Sequence, residues 1–178
     1  MLIVFAGLPG VGKTTLAQRV VRQMRACYLR IDTIEQALRS PDRPHEDIGS
    51  SGYRVAQRVA EENLRLGSIV VADAVNASQE ARDGWISVAR RANANIVIIE
   101  LVCSNVEEHR RRVVLRTSDI DGLELPTWQD VTERTYKPWT GSHLVLDTAY
   151  RSQRELLADV YNAVHLSVEA ERPSKPVE

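Results

Sequence analysis

The chain alternates between two hydrophobic patterns. Short, near-continuous apolar runs at Leu2–Ala6, Cys27–Ile31, Ser68–Asp73, Asn95–Val102 and Ser142–Asp147 read as buried strands. Between them, apolar residues recur at helical spacing. That spacing predicts helices over about 13–25, 33–39, 52–67, 79–93, 105–116 and 150–166, with a further short helix around 129–136. In the helix over 52–67, Val55, Val59, Leu64 and Leu66 mark the expected apolar side, and Gly67 closes it. In the helix over 105–116, Val106, Val113 and Val114 lie opposite a basic face. Two stretches break the pattern. Ser40 to Ser51 carries Pro41, Pro44 and Gly49 and is expected to be a mobile loop, and Thr117 to Gly141 carries Gly122, Pro126 and Pro138. The prolines and mixed charge after Ser167 predict a frayed tail.

Strands alternating with helices imply an α/β fold with a parallel sheet covered on both faces. In such sheets ligands sit beyond the carboxyl ends of the strands, which makes strand-end residues the first candidates.

The stretch after the first strand carries the strongest signal. Gly7-Leu8-Pro9-Gly10-Val11-Gly12-Lys13-Thr14 fits G-x-x-x-x-G-K-[ST], the P-loop, and sits between a strand and a helix as that motif requires. Gly7, Gly10 and Gly12 allow the backbone to turn left-handed and approach a ligand closely. Successive amides then form an anion nest, and the following helix aims its positive end at the same point. Lys13 adds a charge for the outer phosphates, Thr14 a hydroxyl for Mg²⁺, and Thr15 a bond to an inner phosphate. Nucleoside triphosphate binding is the expectation.

The 178 residues suffice for one domain, expected over 1–166, with 167–178 as the tail. A net charge of -1 gives no basic field for nucleic acid. Cys27 and Cys103 fall in or beside apolar runs and read as buried thiols, not as a disulfide framework. No apolar run approaches a membrane span. The first strand starts at Leu2, which leaves no room for a signal peptide and makes the cytoplasm the expected address.

Several residues carry two readings. Asp32, at the end of the second strand, is either a general base for an acceptor hydroxyl or half of an Asp32-x-x-Glu35 capping box. Asp73 ends the third strand and either holds Mg²⁺ through water or caps a helix. Asn76 either caps the next helix or orients substrate. Arg39 lies two helical turns beyond Asp32 and is either an anchor for an anionic acceptor or a surface arginine. His109, Arg112 and Arg116 share one helix face, either as a solvated basic surface or as part of a lid over about 105–141 that closes on the polyphosphate. Lys137 is a weaker member of that set. Trp128, Tyr136 and Trp139 suggest local packing in the same stretch.

Gly7–Thr15, Asp32, the run Val70-Val71-Ala72-Asp73-Ala74-Val75-Asn76, the arginine helix, Tyr136-Lys137-Pro138-Trp139 and His143–Thr148 together span nearly the whole chain. On these pieces the sequence resembles the small bacterial P-loop kinases, also described as AAA-type ATP-binding proteins. Their relatives include adenylylsulfate kinase, gluconate kinase, zeta toxin and the 5′-hydroxyl polynucleotide kinases. The resemblance implies a three-layer α/β/α, nucleoside-monophosphate-kinase-like fold with a five-stranded parallel sheet ordered 2-3-1-4-5 and a lid. It implies ATP, Mg²⁺ and γ-phosphoryl transfer to a hydroxyl of a small acceptor. Asp32 would match the acceptor-side base, Arg112 and Arg116 the lid arginines, and Asp147-Thr148-Ala149 would lie near the adenine. The triple-glycine motif of shikimate kinases and the N-K-x-D guanine-reading motif are both missing.

Two rivals remain at this level. One is a nucleotide-binding regulator without transfer chemistry. The other is a 5′-hydroxyl polynucleotide kinase, which needs a basic groove beside Asp32; Arg30, Arg39 and Arg43 are few for that, and the neighbouring acids Glu35, Asp42, Glu46 and Asp47 count against it. Either a monomer or a homodimer is compatible with the sequence.

Overall fold

A computed structural model describes residues 1–39 and 48–169. The strands are β1 (Leu2–Ala6), β2 (Cys27–Arg30), β3 (Val70–Asp73), β4 (Ile96–Val102) and β5 (Leu144–Asp147). The helices are α1 (Lys13–Met24), α2 (Ile31–Leu38), α3 (Ser51–Arg65), α4 (Gln79–Arg91), α5 (Val106–Leu115), α6 (Trp128–Glu133) and α7 (Gln153–Glu169). All strand pairs are parallel, in the order β2-β3-β1-β4-β5. The expected sheet order is therefore observed.

Alternate residues of β1 feed two cores, as the two-residue period of a strand dictates. Ile3 and Phe5 pack with Leu16 and Val20 of α1 and Leu156 and Val160 of α7. Leu2 and Val4 pack with Ala56, Ala60 and Leu64 of α3 and Trp85 and Val88 of α4. The sheet is thus the middle of three layers.

Helix α3 buries Leu64 as expected, but the rest of its buried face differs from the expected one. Gly52, Ala56, Ala60 and Leu64 point inward with Glu61, while Val55, Val59 and Leu66 are exposed. The small residues allow close helix approach: a Cβ at Gly52 would lie 2.4 Å from Glu35 Cγ. In α5 the buried residues are His109 and Val113, and Val106 and Val114 are exposed. The free thiols of Cys27 and Cys103 are half-buried, not buried as expected. Cys27 lies on the edge strand β2, and Cys103 just follows β4. The tail is shorter than expected because α7 continues through Glu169. Most of the expected 40–51 loop and the rest of the tail lie outside the described residues.

Candidate functional site

The P-loop joins β1 to α1 at the carboxyl edge of the sheet. Gly12 sits at the N-cap of α1 with φ 97° and has no atom within 4 Å of a built Cβ, so its backbone conformation, not crowding, calls for glycine. Gly10 answers a steric demand as well: at φ 85°, a Cβ there would lie 2.5 Å from Val113 Cγ2. Helix α5 is therefore packed directly on the loop. His109 adds a polar tie, its Nε2 lying 2.8 Å from the Pro9 carbonyl oxygen. A carbonyl can only accept, so Nε2 carries the proton. The Trp128 ring meets the His109 ring edge-on at 5.2 Å.

Lys13 is 8% exposed, and its ammonium donates to the Leu8 carbonyl at 2.9 Å. Burial pushes its pKa down to about 8, against the opposing pull of the Asp73 and Asp32 carboxylates. Asp73 ends β3 and is buried, with the Tyr28 hydroxyl donating to Oδ2 at 2.8 Å. It is not a helix cap: Ser78 caps α4, accepting from the Ala81 amide. Thr14 and Asp73 line one cavity and offer hard oxygen donors of the kind Mg²⁺ takes when substrate phosphates complete its shell.

The same cavity, about 990 Å³ in volume, is also lined by Thr15, Asp32, Glu35, Tyr53, Arg112, Arg116 and Arg134. Asp32 does not close β2. That strand stops at Arg30, and Asp32 lies in the first turn of α2. The N-cap position is Arg30 with no side-chain cap bond, so the capping box expected from Asp32-x-x-Glu35 does not form. The Asp32 side chain is 42% exposed and its Oδ2 lies 4.0 Å from Arg30 Nε. Burial, and next the neighbouring Asp32 charge, raise the pKa of Glu35. Burial also raises the Tyr53 phenol to about 12, so it remains a protonated hydroxyl near neutrality.

The arginine helix divides its expected residues. Arg112 donates through Nη1 to Thr148 Oγ1, through Nη2 to the Thr148 carbonyl, and through Nε to Glu108. Thr148 in turn donates within 3.0 Å of the Val11 carbonyl, tying this corner to the P-loop. Arg116 is the C-cap of α5 and makes no hydrogen bond or ion pair among the described residues. Burial lowers its pKa, while Asp32, Asp119 and Asp73 pull the other way.

Two expected substrate residues do not reach the cavity. Asn76 is fully buried: its Nδ2 donates to the Phe5 carbonyl at 2.9 Å, and its Oδ1 accepts from Trp85 Nε1 at 2.9 Å. It neither caps α4 nor faces a ligand, because both of its polar atoms are committed inside the core. Arg39 closes α2 as its C-cap, with Nη1 donating to Gln36 Oε1, and does not line the cavity. Lys137 also lies elsewhere. Its amide donates to the Ala77 carbonyl, and Arg82 donates to the carbonyls of Lys137 and Pro138 while facing Tyr136 and Trp139. The aromatic residues of this stretch thus pack locally, as expected. The cation that the segment adds to the cavity is Arg134, which the sequence pattern did not single out. Tyr28 was missed as well, because its role depends on the pairing of β2 beside β3.

Parallel order, strand–P-loop–helix and a cavity at the carboxyl edge define a P-loop NTPase fold of the small-kinase type. The chain belongs to the AAA domain family, which matches residues 2–138. None of the curated proteins matches it. Among solved structures, the chain is similar to the Mycobacterium tuberculosis APS kinase CysC in complex with AMPPNP and APS. Identity is 20%, coverage 92% of this chain and 96% of that one, and TM-score 0.67. A gluconokinase from Sinorhizobium meliloti 1021 has 18% identity, 94% coverage of both chains and TM-score 0.63. Chaetomium thermophilum Kti12 in complex with ADP-AlF3 has 18% identity, 92% and 99% coverage, and TM-score 0.61. At these identities the likeness establishes the fold. No helix among the described residues is long and apolar enough to cross a membrane.

Proposed function

We propose that this protein is an ATP-dependent kinase that transfers the γ-phosphoryl group to a hydroxyl of a small acceptor. The observation that carries the reading is the shared cavity of Lys13, Asp73 and Asp32: a phosphate-loop lysine faces a carboxylate that is not spent on capping its helix. The loop amides and Lys13 hold the triphosphate. Mg²⁺ bound from Thr14 and Asp73 would neutralise charge on the β- and γ-phosphates. Asp32 accepts the proton of the acceptor hydroxyl as its oxygen attacks the γ-phosphorus, and ADP leaves. Arg116, joined by Arg134 and by Arg112 at the Thr148 corner, stabilises the charge spread over the transferring group. AMPPNP and ADP-AlF3 in the similar structures support ATP as the donor. Of the expected lid over about 105–141, the part beyond α5 acts as the lid, excluding water during transfer, while α5 itself is packed on the P-loop.

The test is Asp32→Asn. Nucleotide binding should persist while transfer to an acceptor, found by screening metabolites with labelled ATP, falls by about 10²–10⁴-fold. A fully active Asp32→Asn enzyme would remove the assignment. Hydrolysis with no acceptor across a broad panel would favour a nucleotide-dependent regulator.

A further inference from the structure

Arg30 ends β2 and stands at the carboxyl edge of the sheet, two residues before Asp32. Its side chain is only 9% exposed, yet it lines the cavity shared by Lys13 and Asp32. A guanidinium this buried needs a partner, since removing a lone charge from water is costly. The partner is Asp119, both of whose carboxylate oxygens lie 2.8 Å from Arg30 Nη1.

Asp119 is an unusual choice for a permanent partner. It lies in the irregular stretch between α5 and α6, 89 residues away in sequence, and its side chain is 60% exposed. The only other side chain it bonds among the described residues is Arg30, and its own backbone amide also supports the carboxylate. Arg30 is also incompletely satisfied: Nε is buried without a hydrogen-bond partner, and Asp32 Oδ2 is 4.0 Å away. The second cation here, Arg116, feels the charges of both Arg30 and Asp119 and has no ion-pair partner of its own among the described residues. Arg30 is thus paired with an exposed carboxylate, beside a second guanidinium that has no ion pair among the described residues.

Building on the phosphotransferase reading, we infer that Asp119 is an internal stand-in for an anionic group of the acceptor, a carboxylate or a phosphate ester, and that Arg30 is the anchor for that group. An incoming anion can replace Asp119 without leaving Arg30 unpaired. A neutral acceptor cannot, because displacing Asp119 would leave the buried Arg30 with only the Asp32 carboxylate, 4.0 Å from Nε. The planar guanidinium suits either anion, since carboxylate and phosphate both present paired oxygens to its donors. Release of Asp119 frees the stretch over residues 116–127 to settle over the bound acceptor. The acceptor hydroxyl would then lie toward Asp32, and its anionic group toward Arg30.

The experiment uses the full chain with its P-loop filled by Mg-AMPPNP, so that added anions cannot occupy the nucleotide site. Methyl phosphate and acetate are titrated separately at constant ionic strength by calorimetry, against wild type, Asp119→Asn, and Asp119→Asn with Arg30→Gln. Asp119→Asn should bind at least one of the two anions about tenfold or more tightly than wild type, the scale of one charge-assisted hydrogen bond. The gain should vanish when Arg30→Gln is added, and the anion that shows it names the acceptor's group. The amide oxygen introduced by Asp119→Asn can still accept from Arg30 Nη1, and thermal unfolding of each variant, run beside the titrations, confirms that the protein titrated is folded. No gain with either anion in Asp119→Asn, or a gain that survives Arg30→Gln, overturns the inference. Failure of wild type to bind Mg-AMPPNP would instead count against the kinase reading beneath it.

Discussion

The imidazole of His109 and the carbonyl of Pro9 are 2.8 Å apart, although 100 residues separate them in the chain. The contact fastens the phosphate loop to the helix that carries Arg112 and ends at Arg116. Val113 of the same helix closes over Gly10. The loop and the arginine helix are therefore held against each other by both a hydrogen bond and direct packing.

Breaking that tie should affect both stability and nucleotide binding. His109→Leu keeps bulk but leaves the Pro9 carbonyl without its donor, a cost of about 1–3 kcal/mol. Thermal unfolding with and without ATP should show a lower midpoint and a smaller shift on adding ATP. His109→Gln, which can still donate, should lie nearer wild type. Equal behaviour of the two variants would mean that the ring's packing against Trp128, not its hydrogen bond, is what matters.

Lys13 makes stability depend on pH in a defined direction. Its folded pKa of about 8 lies below the ordinary lysine value of 10.5 because the side chain is buried. Between these values the unfolded chain binds more protons than the folded one, so the penalty present below pH 8 is relieved as pH rises toward 10.5. The difference in unfolding free energy between the nucleotide-free wild type and Lys13→Met should accordingly shift in favour of wild type across that window. Denaturant titrations at several pH values measure it. A difference independent of pH would show that Lys13 keeps an ordinary pKa.

Asn76 should prove structural. Asn76→Ala removes buried bonds to Phe5 and Trp85 and places alanine at φ 52°, which asparagine tolerates better. A loss of about 2–4 kcal/mol in unfolding free energy is expected, combining two buried hydrogen bonds with backbone strain. At temperatures where the variant is folded, KM for the acceptor should be unchanged. A raised KM with full stability would return Asn76 to the binding site.

The Tyr28 hydroxyl fixes one oxygen of Asp73. If Asp73 holds Mg²⁺, Tyr28→Phe should raise the Mg²⁺ concentration that half-saturates ATP binding by about tenfold, the usual scale for a residue that orients a ligand. Fluorescent-nucleotide titrations over a range of Mg²⁺ check this. An unchanged midpoint would take Asp73 out of the metal site.

The structure also shows where sequence patterning misleads. Val55 and Val59 recur at helical spacing, but the face that packs is the one bearing Gly52, Ala56 and Ala60. Small residues barely register on a hydrophobic scale, yet they permit the closest helix contact. His109 was grouped with Arg112 and Arg116 by spacing alone; in the fold it belongs to the buried side with Val113. Asp32 and Glu35 have the letters of a capping box, but helix α2 begins two residues too early for Asp32 to cap it.

What the linear chain settled by itself is local and repetitive. Strand and helix periods, and a glycine-lysine-threonine loop between them, are encoded by neighbours within a few residues, because backbone geometry and anion-binding amides need nothing more distant. Tertiary structure decided every relationship across long separations: Tyr28 on Asp73, His109 on Pro9, Arg112 on Thr148 and Asp119 on Arg30. Such pairs leave no mark in spacing. They arise because parallel strands gather their carboxyl ends at one edge, and because a buried polar group must find its partner wherever the chain returns.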